Sequence, residues 1–466
     1  MSYVQGQSRD QASLFPVSLD ELIGPEHVCR VIAAFVGRLD LNALGFARAR
    51  AKATGRPPYD PADLLMLYLY GYLNRVRSSR RLERECQRNV ELMWLLHRLT
   101  PDHKTIAEFR RCNAQPLRQA GAEFVRFCAE VGLIRGDWVA VDGTKFQAVA
   151  SGKAVLEAAQ RAELQARLEQ RIAQYLQELE TADQLPGEGE VDAQALRQAL
   201  AQLQQQQSDL SKAGSEQRRH VSTEPEAVVL KGKGPGYNVQ TAVDAEHALI
   251  VAHEINAQAG DNGCLQRMGE LAQQALGVAD LKLVADAGYA NGEQAQALEE
   301  RGVQVHVPVK RSVNNQGGGV LFERTCFTYD AQADVYVCPA NKLLARKQIN
   351  RHDKVVLYAA QPSDCGACAM KDRCTVASRR MVSRHANEQA LERIHARATP
   401  EVMRLRRCTV EHPFAALKFH IFEKPRFLMR GLTGAGTEIA LASLAYNVKR
   451  ALAVLGGRQM LRKLAL

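Results

Sequence analysis

The spacing of hydrophobic positions along this chain changes several times, and each change marks a different kind of element. Between residues 17 and 135 apolar positions recur every three or four residues, the signature of helices with one buried face. Ser18 ahead of Leu19-Asp20-Glu21 makes a capping box, and Asp60 ahead of Pro61 opens a helix with proline in its first turn. Residues 64–73, LLMLYLYGYL, are apolar nearly all round, which predicts a helix buried on every side. From 136 the period shortens, and WVAVDGTKFQAV reads as a strand.

Residues 153–213 return to helix. Leu164, Leu168, Ile172, Tyr175 and Leu179 form one stripe, and Leu196, Leu200, Leu203 and Leu210 form another. A turn, LPGEG at 185–189, separates them, so the segment predicts an antiparallel helical hairpin with a coiled-coil seam. Its glutamine-rich faces carry no evident chemistry, and the arm is expected to pack or to pair subunits.

Strands resume at 236–243 and 248–255, joined by the turn Asp244-Ala245-Glu246-His247. A helix covers 263–277. LKLVADAG, 281–288, is a buried strand ending at Asp286, and 291–302 is a helix between Asn291 and Gly302. VQVHVPV, 303–309, is a further strand. Residues 310–398 are rich in Gly, Asn, Arg and Cys, with short strand-like pieces. From 399 to about 453 the chain is helical, and Pro413 either kinks that helix or marks a restart.

Without the two interruptions, a core of strands and helices remains. Its order is compatible with a ribonuclease-H-like fold, a mixed α/β sheet flanked by helices. The expected organisation is a helical N-terminal DNA-binding domain (1–135), a core (136–152 and 221–309), a hairpin insertion (153–220), a Cys-rich insertion (310–398) and C-terminal helices completing the core (399–466).

Composition adds a little. The net charge of +10 favours an anionic partner, nucleic acid being the commonest. The arginines that follow the buried helix, Arg75, Arg77, Arg80, Arg81 and Arg84, suit a module docked on phosphates. No apolar run approaches a membrane span and the N-terminus lacks a signal-peptide layout, so a cytoplasmic protein with no membrane partner is expected. Eleven cysteines in such a compartment argue against a disulfide framework. Cys338, Cys365, Cys368 and Cys374 cluster with a Cys-x2-Cys pair, a set able to close a structural Zn²⁺ site, with Cys326 as a substitute ligand.

Asp142 ends the apolar run Trp138–Val141, and an acid at the end of a buried strand is costly unless paired or holding a metal. Asp286 ends a similar run. Arg404, Arg407, Glu411 and Lys418 fall roughly on one helical face. Asp137, at the start of its strand, and Asp244, in a turn, are poorer candidates. Two strand-end aspartates and a helical glutamate are a workable oxygen set for Mg²⁺.

These segments resemble the DDE transposases of bacterial insertion sequences. RCTVEHPFAALK is similar to that family's Tyr-x2-Arg-x3-Glu-x6-Lys signature, with Arg407, Glu411 and Lys418 at its last three positions and Arg404 where the tyrosine is usual. WVAVDGTKFQA and LVADAGYANGEQ resemble its two aspartate motifs, and GYNVQTAVDAEHALIV its second and third strands. RGLTGAGTEIALASLAYNVKRAL resembles its C-terminal helix, and the region from SLDELIG to HKTIAEFRR the N-terminal domain of one branch. The resemblance implies that Asp142, Asp286 and Glu411 bind two Mg²⁺ ions, with Mn²⁺ as a substitute. Water would attack at the element's ends, and the freed 3′-hydroxyl would attack target DNA. Arg407 and Lys418 would hold phosphates. The partners implied are double-stranded DNA, both terminal inverted repeats and target, and a second copy in the DNA complex. The setting implied is the bacterial cytoplasm, on the nucleoid when bound. A catalytically inactive descendant that only binds DNA is the alternative, and a structure-selective nuclease on the same core a third reading.

Overall fold

The computed structural model describes residues 17–50, 57–182, 190–212, 219–308, 321–350 and 355–465. The expected turn at 185–189 and the Gly/Asn-rich stretch at 310–320 lie outside them. Six helices come first: α1 (Val28–Gly37), α2 (Pro61–Leu73), α3 (Ser79–Arg88), α4 (Val90–Leu95), α5 (His103–Cys112) and α6 (Ala114–Glu130). After β1 (Trp138–Gln147), a short antiparallel pair, β2 (Val155–Glu157) and β3 (Arg219–Val221), brackets α7 (Ala158–Ala182) and α8 (Glu190–Lys212). Then come β4 (Val228–Leu230), β5 (Gly234–Asp244), β6 (Ile250–Asn256), α9 (Leu265–Leu276), β7 (Leu281–Val284), α10 (Gly292–Glu299) and β8 (Val303–His306). The following stretch holds β9 (Thr328–Asp330), β10 (Val335–Val337), β11 (Leu343–Asn350), β12 (Val355–Ala359), α11 (Pro362–Gly366) and β13 (Met381–His385). The chain closes with α12 (Glu388–Arg397), α13 (Pro400–Ala415), α14 (Gly431–Leu455) and α15 (Gly457–Leu464).

These elements form two compact units. The first takes the described parts of Met1–Arg135, Gly143–Ala259 and Thr409–Leu466, and the second takes those of Gly136–Asp142 and Gly260–Cys408. Strand β1 contributes its opening residues to the second unit and its remainder to the first.

In the first unit α2 is buried as its composition requires, from Leu64 to Tyr72. Gly71 has a steric reason: a Cβ there would lie 2.6 Å from the Val76 carbonyl oxygen. Helix α14 packs on α2, α6 and β6. Its Asn447 clamps the edge of β6, accepting from the Ile250 N–H at 2.9 Å and donating to the Ile250 carbonyl at 2.8 Å. Strand β5 pairs antiparallel with β4 and β6. In the hairpin arm Leu168, Leu203 and Leu210 are buried, flanked by Leu164, Ile172 and Tyr175, which is the expected seam. Helix α13 runs through Pro413 without a restart, and a π-helical turn, Ala416–Ile421, follows. Proline offers no N–H to the preceding turn, which loosens the ladder there.

A buried carboxylate organises the same unit. Glu438, fully enclosed on α14, accepts from the Leu428 and Met429 N–H groups, each at 2.7 Å. Arg77 donates to its second oxygen at 2.9 Å, and the guanidinium lies 4.3 Å over the Phe422 ring. Arg77, one of the arginines expected to meet DNA, has a side chain only 12% exposed that pairs with Glu438.

In the second unit β1, β7 and β8 run parallel, with α10 crossing between β7 and β8. Helix α12 packs on α10 and β8. A separate antiparallel sheet of order β13-β12-β11-β10-β9 has a thin core of Phe327, Tyr336, Leu344, Tyr358, Ala360 and Val382. Parallel strands in one unit, an antiparallel meander in the other and flanking helices make the mixed α/β, ribonuclease-H-like core expected from the element order.

The Glu438 cluster has a measurable consequence. Arg77→Ala leaves a desolvated carboxylate without its cation and should cost about 3–5 kcal/mol in urea unfolding. A loss under about 1 kcal/mol, the value of a surface pair, would show that Arg77 is not structural.

Candidate active site

Strand register explains how two distant acids meet. In the parallel pairing of β1 with β7, Ala140 stands opposite Val284. Carrying that register two residues further, past the end of β7, sets Asp142 of β1 level with Asp286, on neighbouring segments roughly 4.8 Å apart. The residues between, Val141 and Ala285, are buried, as side chains of the alternate face should be. Asp286 is held further by its own turn: its Oδ1 accepts from the Gly288 N–H at 2.7 Å. A Cβ on Gly288 would sit 2.8 Å from that oxygen, so glycine is what lets the carboxylate fold back.

Two carboxylates in register repel, and Arg406 on α13 offsets this. Its Nη2 lies 2.7 Å from Asp142 Oδ1 and 3.5 Å from Asp286 Oδ2. The first contact is a charge-assisted hydrogen bond, and the second is at the outer limit of one. The Arg406 side chain is 13% exposed, and its buried Nε has no hydrogen-bond partner. A single nitrogen thus serves both acids. Tyr289, fully buried beside them, has its hydroxyl pushed far above the usual tyrosine range. Burial is the first cause, and the charges of Asp261, Asp142, Cys264 and Asp286 add to it. Asp261 therefore shares this electronegative region.

An oxygen-only donor pair, already bridged by a cation, fits a hard divalent ion. Arg406 is the functional residue that the sequence reading passed over. The reading favoured Arg404 and Arg407, which are exposed. Arg406 instead falls on the inward stripe Met403, Arg406, Val410, Pro413, of which Val410 and Pro413 are buried. An arginine at a core position of an otherwise apolar stripe was the available signal.

The other predicted residues sit as follows. Glu411 belongs to the first unit and is exposed on α13. Lys418, on the π-helical turn, has its Nζ 5.7 Å from the Phe414 ring centroid. Arg80, Arg81 and Arg84 lie on the exposed face of α3, whose opposite face buries Leu82 and Cys86. Arg75 is exposed, with Nη2 3.2 Å from His420 Nδ1. Asp137 is exposed, and Asp244 caps its turn by accepting from the Glu246 N–H at 3.0 Å. Cys338, Cys365, Cys368 and Cys374 line one cavity of the second unit.

Known families match this chain at both ends. The family model "Transposase domain (DUF772)" matches residues 17–112, and "Transposase DDE domain" matches residues 229–448. Together they take in about two thirds of the sequence. The chain belongs to the DDE transposases. As a transposase it is a DNA-binding polynucleotidyl transferase, of a family that generally uses divalent metal ions. The second match contains Asp286 and Glu411, while Asp142 lies ahead of it. No curated protein matches. Among solved structures, a piggyBac transposase synaptic complex with hairpin DNA is similar at 9% identity and a TM-score of 0.33, covering 94% of this chain and 76% of that one. A likeness that loose transfers no residue.

Arg406 can be tested without DNA. Arg406→Gln removes the bridge and should lower the stability of the metal-free transposase by roughly 1–3 kcal/mol. Because metal no longer competes with a resident cation, added Mn²⁺ should raise the Tm of the variant more than that of the wild type. Equal Mn²⁺ shifts would show that the guanidinium and the metal do not share the carboxylates.

Proposed function

We propose that this transposase cuts DNA at the ends of an insertion sequence and joins the freed 3′-hydroxyl to target DNA, with Asp142, Asp286 and Glu411 as the ligands of two Mg²⁺ ions. The observation that carries this reading is the single Arg406 nitrogen within reach of both aspartates. Two acids drawn level with one guanidinium between them keep a net negative charge, which suits added positive charge. Glu411 enters through its place in RCTVEHPFAALK, which keeps the family's glutamate-to-lysine spacing.

Ions held there would activate the attacking oxygen and stabilise the leaving one. The protein's own residues supply position. Gly288 and the β1–β7 register hold the carboxylates, and Arg406 offsets one of their two charges in the absence of metal. Arg407 and Lys418 hold phosphates near the glutamate, and Arg80, Arg81 and Arg84 grip the backbone of the element's ends without reading sequence. No side chain acts as a covalent nucleophile, and catalysis rests on orientation and electrostatics. The working form is a homodimer on paired ends, in the bacterial cytoplasm.

Cleavage of DNA carrying the element's ends, with Mg²⁺ or Mn²⁺, tests the assignment. Changes beside metal ligands commonly cost 10–100-fold, so Asp142→Asn, Asp286→Asn and Glu411→Gln should each lower cutting by more than about 100-fold while leaving DNA binding intact. Cutting by Asp142→Asn at the wild-type rate would overturn the three-acid set. Tight binding with no cutting by the wild type would identify an inactive DNA-binding descendant.

A further inference from the structure

The antiparallel sheet β9–β13 is the part of the second unit with the least to hold it together. Its strands are three to eight residues long, and its core amounts to the six buried residues named above. Strand β11 shows the consequence: of its eight residues only Leu344 is buried. So small an apolar core rarely sustains a sheet without a staple.

Four cysteines converge at that core's edge. Cys338 follows β10, Cys365 lies at the end of α11, and Cys368 and Cys374 follow in the next two turns. All four are half-buried free thiols lining one cavity of about 30 Å³, room for a single ion or water. Three of them, Cys338, Cys365 and Cys374, pack directly against the apolar cluster.

The backbone around them is already shaped for thiolates. Beyond Cys338 the chain turns through Asn341, which has a positive φ of 55°. The turn closes with Cys338 N–H donating to the Lys342 carbonyl at 2.9 Å, and Lys342 N–H donating to Cys338 Sγ at 3.3 Å. Arg380 N–H donates to Cys365 Sγ at 3.4 Å. Two backbone donors aimed at sulfur stabilise negative charge there, and such donors tune and orient metal thiolates. No three of the four sulfurs lie within 4.8 Å of one another, so binding would draw the turns inward.

We propose that Cys338, Cys365, Cys368 and Cys374 bind one structural Zn²⁺ ion that staples the turns after α11 to the end of β10, against the core of the five-stranded sheet. Binding replaces each S–H proton by a Zn–S bond and releases the protons to solvent; no electrons move. The site is tetrahedral and closed, with no position for a substrate. Cys326, exposed and absent from the cavity lining, is not a ligand. The donor group that is compact among the described residues, His27, Cys29 and Glu91, has a different explanation. His27 Nδ1 accepts from the Cys29 N–H as a helix cap, its Nε2 faces Glu91 at 3.4 Å, and burial pushes the Cys29 thiol up to about 12, away from thiolate.

Metal analysis of the full-length protein, purified without chelator, should find one zinc per chain. Cys365→Ser/Cys368→Ser should lose it, while Cys29→Ser and Asp142→Asn keep it. Should the double variant fail to fold, the wild type supplies a second readout. A mercurial thiol reagent should release the zinc, and Co²⁺ exchanged into the site should show intense sulfur-to-metal charge-transfer bands of a tetrahedral thiolate centre. Folded wild-type protein without zinc and without Co²⁺ bands overturns the proposal. So does zinc that persists in Cys365→Ser/Cys368→Ser, or that is lost with Cys29 or Asp142.

Discussion

Two like charges are brought level on adjacent parallel segments, Asp142 midway along β1 and Asp286 two residues past the end of β7, and much of the second unit answers that constraint. Continued two residues past its last pair, Ala140 with Val284, the β1–β7 register brings Asp142 and Asp286 level. Desolvation makes the repulsion worse, since Asp142 is 19% exposed. The remedy is a cation delivered from α13, whose inward stripe carries Arg406 in place of an aliphatic residue. A tyrosine hydroxyl kept protonated beneath the pair, and a glycine that lets Asp286 fold onto its own turn, complete the arrangement. Repulsion of this kind is wasteful in a scaffold and useful in a site that must attract metal.

Much of this was legible in the sequence. Period-2 and period-3.6 patterns located the helical N-terminal region, the hairpin arm and the core strands, because in each case one apolar stripe faces a core. The apolar run ahead of Asp142 was legible for the same reason, but the acid does not end its strand: β1 continues through Asp142 to Gln147. Register was not, because a parallel pairing between residues so far apart leaves no local trace. Arg406 was missed because the eye follows charge to the surface face of a helix, where Arg404 and Arg407 stand. The five-stranded sheet was hard to see because its strands are short and mostly exposed, so the alternation that betrays a strand is weak there.

Arginine content is a poor guide to what meets DNA. Arg77 sits in the same run as Arg80, Arg81 and Arg84, yet it is consumed by Glu438 and the Phe422 ring. Arg110 is likewise buried, with its guanidinium over Tyr68. Arg406 is consumed by the aspartates. The arginines able to meet phosphates are therefore fewer than the count implies, and Arg80, Arg81 and Arg84 on the outer face of α3 are among those left exposed.

The short pair β2–β3 has a consequence for how this chain can change over time. Val155 is paired with Val221 and Glu157 with Arg219, so the arm leaves and re-enters at the same place. Everything between those residues hangs from a closed neck. Lengthening or shortening α7 and α8 by whole turns alters the reach of the arm without moving β1 or β4, and the entropic cost of closure varies only slowly with length. The arm is thus a part whose size natural variation can tune independently of the chemistry carried by the rest.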